Sequence, residues 1–372
     1  MSDTARIGPR RSFGARLREL SRVALVNLAV LVGLLIVVEL ILGTWLFGAN
    51  LGTLNVHTNV QLRIADSPYY PPGTIVHYRR DRFGLRGDYG GDPARITLLA
   101  VGGSTTNEQF VAEGDTWSSI VGRELGAQGK PIVVANAGVD GHSTAGHIRS
   151  FDFWFSKVPG LKPRYVLYFI GINDRGVAPD AISGPDSLAH DGPYRRARTY
   201  VENNSALVRG VRTVRGWFAA RRIGVHHGTG KGETKESRWV PAKVPLDLAA
   251  RLRPNLDGYA KRLRLLHAKT LAFGATPIYV TQINGDGRAA AGVVDGGVQE
   301  IEGSGGSRTF AELSLYNAEL LKFCADVKAH CIDLASELRF GPGDYYDSVH
   351  TTPQGSRKVG MYLAGKLAPL LR

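Results

Sequence analysis

From residue 95 onward, short and almost unbroken apolar runs alternate with stretches of helical spacing. The runs are 96–101 (ITLLAV), 132–136 (IVVAN), 165–170 (YVLYFI), 277–281 (PIYVT) and 331–334 (CIDL). Runs of β-branched and aromatic residues without polar alternation belong to strands buried on both faces. Between them, 116–125, 248–273 and 313–327 repeat apolar positions at helical intervals, and 352–371 closes the chain as a helix. This alternation predicts a parallel sheet covered by helices on both faces. Five strands joined by right-handed crossovers predict a flavodoxin-like three-layer α/β/α sandwich.

A different pattern stands near the N-terminus. Residues 23–47 (VALVNLAVLVGLLIVVELILGTWLF) are apolar except for Asn27, Glu39, Thr44 and two glycines. At about 1.5 Å per residue the run is long enough to cross a hydrocarbon core of about 30 Å with some tilt. It exceeds the apolar stretch of a secretory signal, and GTWLFGANLG offers no good small-x-small cleavage site, so an uncleaved anchor is expected. Glu39, near its far end, either snorkels to the interface or has a role inside the membrane.

Charge changes the picture by giving the span a direction. The chain carries 46 basic and 33 acidic residues, a net +13, which taken alone points to a polyanion partner. Six arginines stand before residue 23 (6, 10, 11, 16, 18 and 22) against Asp3 and Glu19, a net of +4, and the remaining +9 is spread over 350 residues. A basic flank is retained in the cytoplasm. Residues 1–22 are therefore expected inside and everything after 47 outside, in the periplasm or at the cell surface of a bacterium. No basic helix or aromatic sheet motif accompanies the charge, which argues against nucleic acid.

Residues 48–94, rich in Pro, Gly, Tyr and Arg, read as a stalk that packs along the domain 95–372. Two insertions interrupt that domain: 176–245, with a basic helical piece at 206–223 and a polar loop holding His226 and His227, and Gly-rich 284–307. His226 and His227 are expected to be solvated. Loops of this length on the carboxyl side of strands commonly serve a ligand. Cys324 and Cys331 are the two cysteines. In an oxidising exterior they either pair as a disulfide or remain two buried thiols, and with no Cys/His set around them a structural zinc site is not expected.

In an open parallel sheet the ligand lies beyond the carboxyl ends of the strands. The first strand runs into GGST, with Ser104 at the expected start of a helix, where it is either a helix cap or a nucleophile beside backbone N–H groups. No Gly-Lys-Ser/Thr follows, so a phosphate loop is excluded. The second strand ends in ANAGVDGHS, where Gly138 either makes a turn or turns a bare N–H to a ligand. The third ends in GIND, and Asn173 is either an Asx-turn residue or an amide donor for a developing oxyanion. Before the last helix, DSVH sets Asp347 three residues from His350, the spacing in which a carboxylate can orient an imidazole that activates a hydroxyl.

The order GGST, NAG, GIND and DSVH resembles the SGNH (GDSL-type) hydrolase superfamily over roughly 95–372. The resemblance implies Ser104 as nucleophile, His350 as general base and Asp347 as its partner. It also implies an oxyanion hole made of the Ser104 and Gly138 N–H groups with the Asn173 side chain. The family commonly has Asp just before the serine, and this chain has Gly103, which fits envelope-anchored members with a GGS block. The upstream DRFGLRG is similar to an element of those members, and its Arg86 either lines the substrate cleft or forms a surface salt bridge. His142 and His147 either approach the cleft or make ordinary polar contacts, and Gln282, ending the fourth strand, is a candidate substrate contact.

These readings lead to a membrane-anchored serine esterase needing no cofactor or metal. O-acetyl or other small acyl esters on envelope or secreted polysaccharide are the expected substrates, by analogy and location alone. An O-acyltransferase acting on such polysaccharide would use the same acyl-enzyme, and a non-catalytic glycan-binding envelope protein is the non-enzymatic alternative.

Overall fold

The structure, a computed structural model, describes residues 13–43, 45, 51–65, 67, 69–180, 201, 204–208, 210–211, 239–241, 247–285, 287–290, 293–299, 306–341 and 343–371. The arginines of the tail before Phe13, His226, His227 and most of the basic piece 206–223 lie outside the described residues. The chain divides into two compact units, Met1–Thr53 with Gly192–Ile223, and Leu54–Asp191 with Gly224–Arg372.

The first unit contains helix α1, Phe13–Leu42. Its stretch Ser21–Leu42 has a mean hydropathy of 2.8 and is unburied along its length. At about 1.5 Å per residue that stretch spans roughly 33 Å, enough for a bilayer core. The helix stops at Leu42, short of the expected residue 47, where the Gly43 N–H bonds to the Glu39 carbonyl. The Glu39 carboxylate accepts from Ser205 Oγ (2.5 Å), from the Ala206 and Leu207 N–H groups (3.0 Å each) and from Trp45 Nε1 (2.8 Å). An acidic side chain at the edge of an apolar helix is thus satisfied by the orphan amides of a short helical turn.

In the second unit, β1 (Val60–Ile64) and β2 (Val76–Arg80) form an antiparallel hairpin within the extension. The central sheet has five parallel strands: β3 (Leu98–Gly102), β4 (Val134–Asn136), β5 (Tyr165–Phe169), β7 (Thr276–Val280) and β10 (His330–Ile332). Its order is β10-β7-β5-β3-β4, the flavodoxin-like arrangement in which the first strand lies beside the second and third. Strands β6 (Trp239–Pro241), β8 (Gly287–Ala290) and β9 (Val293–Gln299) make a separate antiparallel sheet out of the two insertions, where the sequence pattern predicts no strand.

Helices cover both faces. On one, Leu98, Ala100, Leu167, Phe169, Ile278 and Val280 meet Trp117, Val121 and Leu125 of α3 (Trp117–Ala127) and Val359, Leu363 and Leu367 of α8 (Pro353–Leu367). Alternation along the strands sends Tyr168 and Tyr279 to the other face. There Tyr168 Oη bonds Thr270 Oγ1 (2.6 Å) of α5 (Leu248–Ala272), and Phe323 of α6 (Gly306–Val327) packs edge-on against Tyr279. Helix α4 (Thr144–Phe153), absent from the sequence reading, packs beside α5. Thr116 caps α3 through the Ser119 N–H (3.2 Å), and Thr352 with Pro353 opens α8 in the same way.

Candidate active site

The carboxyl ends of β3, β4 and β5 converge at one end of the sheet. β3 leads through Gly102 and Gly103 into α2 (Ser104–Asn107), whose single turn starts at Ser104. A Cβ on Gly103 would collide with the Asn173 amide, so only glycine lets that amide lie against the turn before the serine. Asn173 stands on the 3-10 turn Ile172–Gly176 that follows β5.

Opposite α2 lies the loop before α8. His350 Nε2 is 2.7 Å from Ser104 Oγ, and His350 Nδ1 is 2.8 Å from Asp347 Oδ2. Asp347 Oδ1 accepts the Val349 and His350 N–H groups at 2.7 Å each. Burial opposes ionisation of Asp347, but the imidazole and these two amides outweigh it and hold the carboxyl below its ordinary value. Carboxylate, imidazole and hydroxyl therefore form one chain of hydrogen bonds in the order that proton abstraction requires.

The loop is tied down on several sides. Gly285 N–H donates to the Ser348 carbonyl (2.8 Å), Tyr345 Oη to Ile283 O (3.1 Å), and Thr351 Oγ1 to Glu108 Oε1 (3.1 Å). Tyr346 stacks on His350 (5.5 Å between centroids) and on Tyr69 of the extension (4.9 Å). Glu108, fully buried, sits at φ +50° just after α2 and also accepts the Trp117 N–H (2.8 Å). Burial pushes its carboxyl up to about 7 against the hydrogen bonds and Arg86 that favour the charge.

Gly138 is placed differently from the expectation. Its N–H donates to Asn136 Oδ1 (2.9 Å), and a Cβ there would strike the Asn107 backbone, so this glycine packs beneath α2 rather than at the cleft. The second glycine of the same loop, Gly141, is exposed, at φ +75°, with open space where a Cβ would be. Its N–H has no partner among the described residues, and the next carbonyl, of His142, accepts from Asn173 Nδ2 (2.9 Å). The Ser104 N–H, the Gly141 N–H and the second Asn173 amide hydrogen are therefore the candidate oxyanion donors among the described residues. Of the two glycines three residues apart in this loop, only Gly141 has an N–H without a partner among the described residues.

Arg86 neither lines the cleft nor makes a surface pair. It is 2% exposed, pairs with Glu113 (2.8 Å), and donates to the carbonyls of Glu108 and Val111 (3.1 Å each) and of Asn107. Arg80, not singled out from the sequence, is buried beside it and donates to Asn107 Oδ1 (2.7 Å), Gly84 O (2.6 Å) and the Gly138 carbonyl. The two guanidiniums thus hold the end of α2 from below. Gln282 is a buried brace: Oε1 accepts the Ile172 N–H (2.9 Å) and Nε2 donates to Thr105 Oγ1 (2.8 Å), linking the Asn173 turn to α2. His142 Nε2 contacts the Leu54 carbonyl (2.6 Å), and burial lowers its pKa to about 4. His147 is fully buried, which holds its pKa well below the ordinary value, so both rings are neutral at pH 7.

Beneath Asn173, Asp174 and Arg262 form an ion pair (3.2 Å) with both side chains fully buried. Thr144 joins it through its N–H and hydroxyl to Asp174 and by accepting from Arg262 Nε (2.8 Å). Away from the site, Cys324 and Cys331 are disulfide-bonded with Cα atoms 6.2 Å apart. Among the described residues no group of three His, Cys, Asp or Glu side chains is arranged to hold a metal ion.

The model of the GDSL-like lipase/acylhydrolase family matches residues 100–358. No curated protein matches the chain. Solved structures similar to it include TesA (14% identity, 74% of this chain and 99% of that one, TM-score 0.41). A catalytic mutant of Axe2, an acetylxylan esterase from Geobacillus stearothermophilus, matches at 15% identity over 73% of this chain and 93% of that one, with TM-score 0.40. The psychrotrophic esterase EstA from Pseudoalteromonas sp. matches at 13% identity over 73% and 97%, with TM-score 0.38.

Proposed function

The chain belongs to the GDSL-like lipase/acylhydrolase family, and from that premise we propose that it is a membrane-anchored serine esterase acting outside the cytoplasm on small acyl esters of carbohydrate. The observation that carries the catalytic part is the unbroken hydrogen-bond chain from Asp347 through His350 to Ser104. In this reading His350 Nε2 takes the Ser104 proton as Oγ attacks the ester carbonyl. Asp347 fixes the tautomer and stabilises the imidazolium that forms. The carbonyl electrons pass to an oxyanion held by the Ser104 and Gly141 N–H groups and Asn173 Nδ2. Collapse of the intermediate expels the alcohol, which takes the proton from His350, and leaves an acyl-Ser104 ester. Water, deprotonated by the same imidazole, then releases the acid and restores the hydroxyl.

The location rests on the apolar stretch Ser21–Leu42 and on the arginines that precede it in the sequence. A carbohydrate ester rests on that location, since an anchored exterior enzyme meets acylated polysaccharide. Full-length protein in mild detergent should hydrolyse p-nitrophenyl acetate. Ser104→Ala should reduce kcat/KM by at least about 10³-fold, as loss of a nucleophile does; equal rates for the two proteins would overturn the mechanism.

A further inference from the structure

The extension does more than link an anchor to an enzyme. Its hairpin β1–β2 forms one wall of a cavity of about 290 Å³ whose opposite wall is the end of α2 and the loop after β4. Residues Asn55, His57, Leu62 and Arg80 come from the extension, and Gln109 and Asp140 from the other side. The volume lies near the lower end of small-molecule sites. Asn107, three residues after Ser104 on the same helical turn, is in the lining, and Asp140 directly precedes Gly141. The cavity thus lies against the helical turn that begins with the nucleophile.

Its chemistry is specific. Arg80 is 3% exposed and makes four hydrogen bonds, all to neutral atoms: Nε to Tyr78 Oη (2.6 Å), Nη1 to Gly84 O (2.6 Å), and Nη2 to Asn107 Oδ1 (2.7 Å) and to the Gly138 carbonyl. A guanidinium has five N–H groups, so one on Nη1 remains unused among the described residues. The Asn107 amide relays from Arg80 to Asp140, donating to Oδ1 (2.8 Å) and leaving Oδ2 without a partner among the described residues. Donor and acceptor thus stand on either side of a bridging amide, with their charges cancelling. Such a pair suits vicinal hydroxyls and gives an anion no advantage. Leu62, an exposed apolar side chain, and buried Val139 supply a surface for the C–H face of a ring.

We propose that this cavity is a glycosyl subsite, which binds a neutral sugar ring of an acylated oligosaccharide while the ester is presented to Ser104. The proposal rests on the esterase reading above and narrows it to oligosaccharides over isolated esters. The segment before β3 then acts as the recognition element, with Asn55, Gln109 and Asp140 contacting hydroxyls.

The test compares two kinds of substrate on full-length protein in detergent: p-nitrophenyl acetate, and a panel of O-acetylated xylo-, gluco- and manno-oligosaccharides with their acetylated monosaccharides. Asn55→Ala with Gln109→Ala removes polar contacts, and Leu62→Trp fills the cavity from an exposed position. For the best oligosaccharide, both variants should raise KM ten-fold or more, while kcat/KM on p-nitrophenyl acetate stays within two-fold of wild type. The proposal is overturned if wild type shows no preference for any oligosaccharide over its acetylated monosaccharide. It is equally overturned if the variants leave oligosaccharide KM unchanged, or if they lower activity on both substrate kinds in parallel. Absence of Ser104-dependent p-nitrophenyl acetate hydrolysis would instead remove the esterase reading beneath it.

Discussion

Replacing Arg262 by Met tests whether the buried ion pair under Asn173 supports both the fold and the active site. Both partners are fully buried, 3.2 Å apart, and Arg262 also donates to Thr144 Oγ1 at 2.8 Å. Methionine keeps much of the length and removes the charge, leaving the Asp174 carboxylate with Thr144 as its one side-chain partner among the described residues. Breaking one side of a buried pair costs about 3–5 kcal/mol, mostly because the remaining charge is stranded. Burial already raises the Asp174 pKa, and Thr144 and Arg262 oppose that rise. Without Arg262 it climbs further, and the carboxyl escapes part of the penalty by protonating.

The sign follows from linkage. A folded-state pKa above the unfolded value means that the native state binds the extra proton, so stability falls as pH rises between the two values, by up to about 1.4 kcal/mol per unit. The deficit of Arg262→Met should therefore be larger at pH 8 than at pH 5. Urea unfolding in mild detergent, followed by the fluorescence of buried Trp117 and Trp154, measures it. The double variant Arg262→Met/Asp174→Leu removes both charges and should recover most of the loss, because an apolar replacement of a whole buried pair is often neutral. Since Asn173 adjoins Asp174, kcat on p-nitrophenyl acetate should fall in the single variant with KM little changed. A loss below about 1 kcal/mol, or a double variant as unstable as the sum of the singles, would refute the argument.

Three further outcomes follow from the site. Gly103→Ala should displace the Asn173 amide and lower kcat about 10²–10³-fold, the scale of one oxyanion donor, with little change in KM, as steady-state kinetics would show. Asp347→Asn should keep the fold, because the amide is nearly isosteric and its Oδ1 can still accept the Val349 and His350 N–H groups, yet lower kcat by about 10⁴-fold by favouring the wrong imidazole tautomer, and circular dichroism beside kinetics separates the two effects. Glu108 has its carboxyl raised from 4.5 to about 7 by burial, so its ionisation costs about 3 kcal/mol between those values and stability declines as pH rises through them. Glu108→Gln should flatten that slope in thermal unfolding measured from pH 4.5 to 8, and an unchanged slope would assign it to other groups.

The parallel sheet was legible because strands buried on both faces have no polar alternation to blur them, and their ends moved by only one or two residues. Helix α4 was not, since TAGHIRSFDF buries Thr144, His147 and Ser150 beside Ile148 and Phe151, so polar residues interrupt the apolar period of its inward face. The antiparallel strands of the insertions are Gly-rich and short, which hides a period of two. Ser104 is legible as a type at a strand end, and Asp347 and His350 by their spacing before the last helix; topology brings the three together. Buried arginines are not: residue type alone does not mark Arg80, Arg86 and Arg262 as interior, because most of their carbonyl and carboxylate partners are distant in sequence. Gly141 shows the same limit on a smaller scale, for the choice between two glycines depends on backbone angles and neighbours that residue type does not encode.

The account stands most directly on Ser104 being an activated nucleophile. Full-length protein treated with an alkyl p-nitrophenyl phosphonate should release one nitrophenolate per chain, and mass spectrometry should find the phosphonyl group on Ser104. Labelling should be lost in Ser104→Ala and strongly slowed in His350→Ala. No stoichiometric release, or a label that persists after Ser104→Ala, would contradict the account.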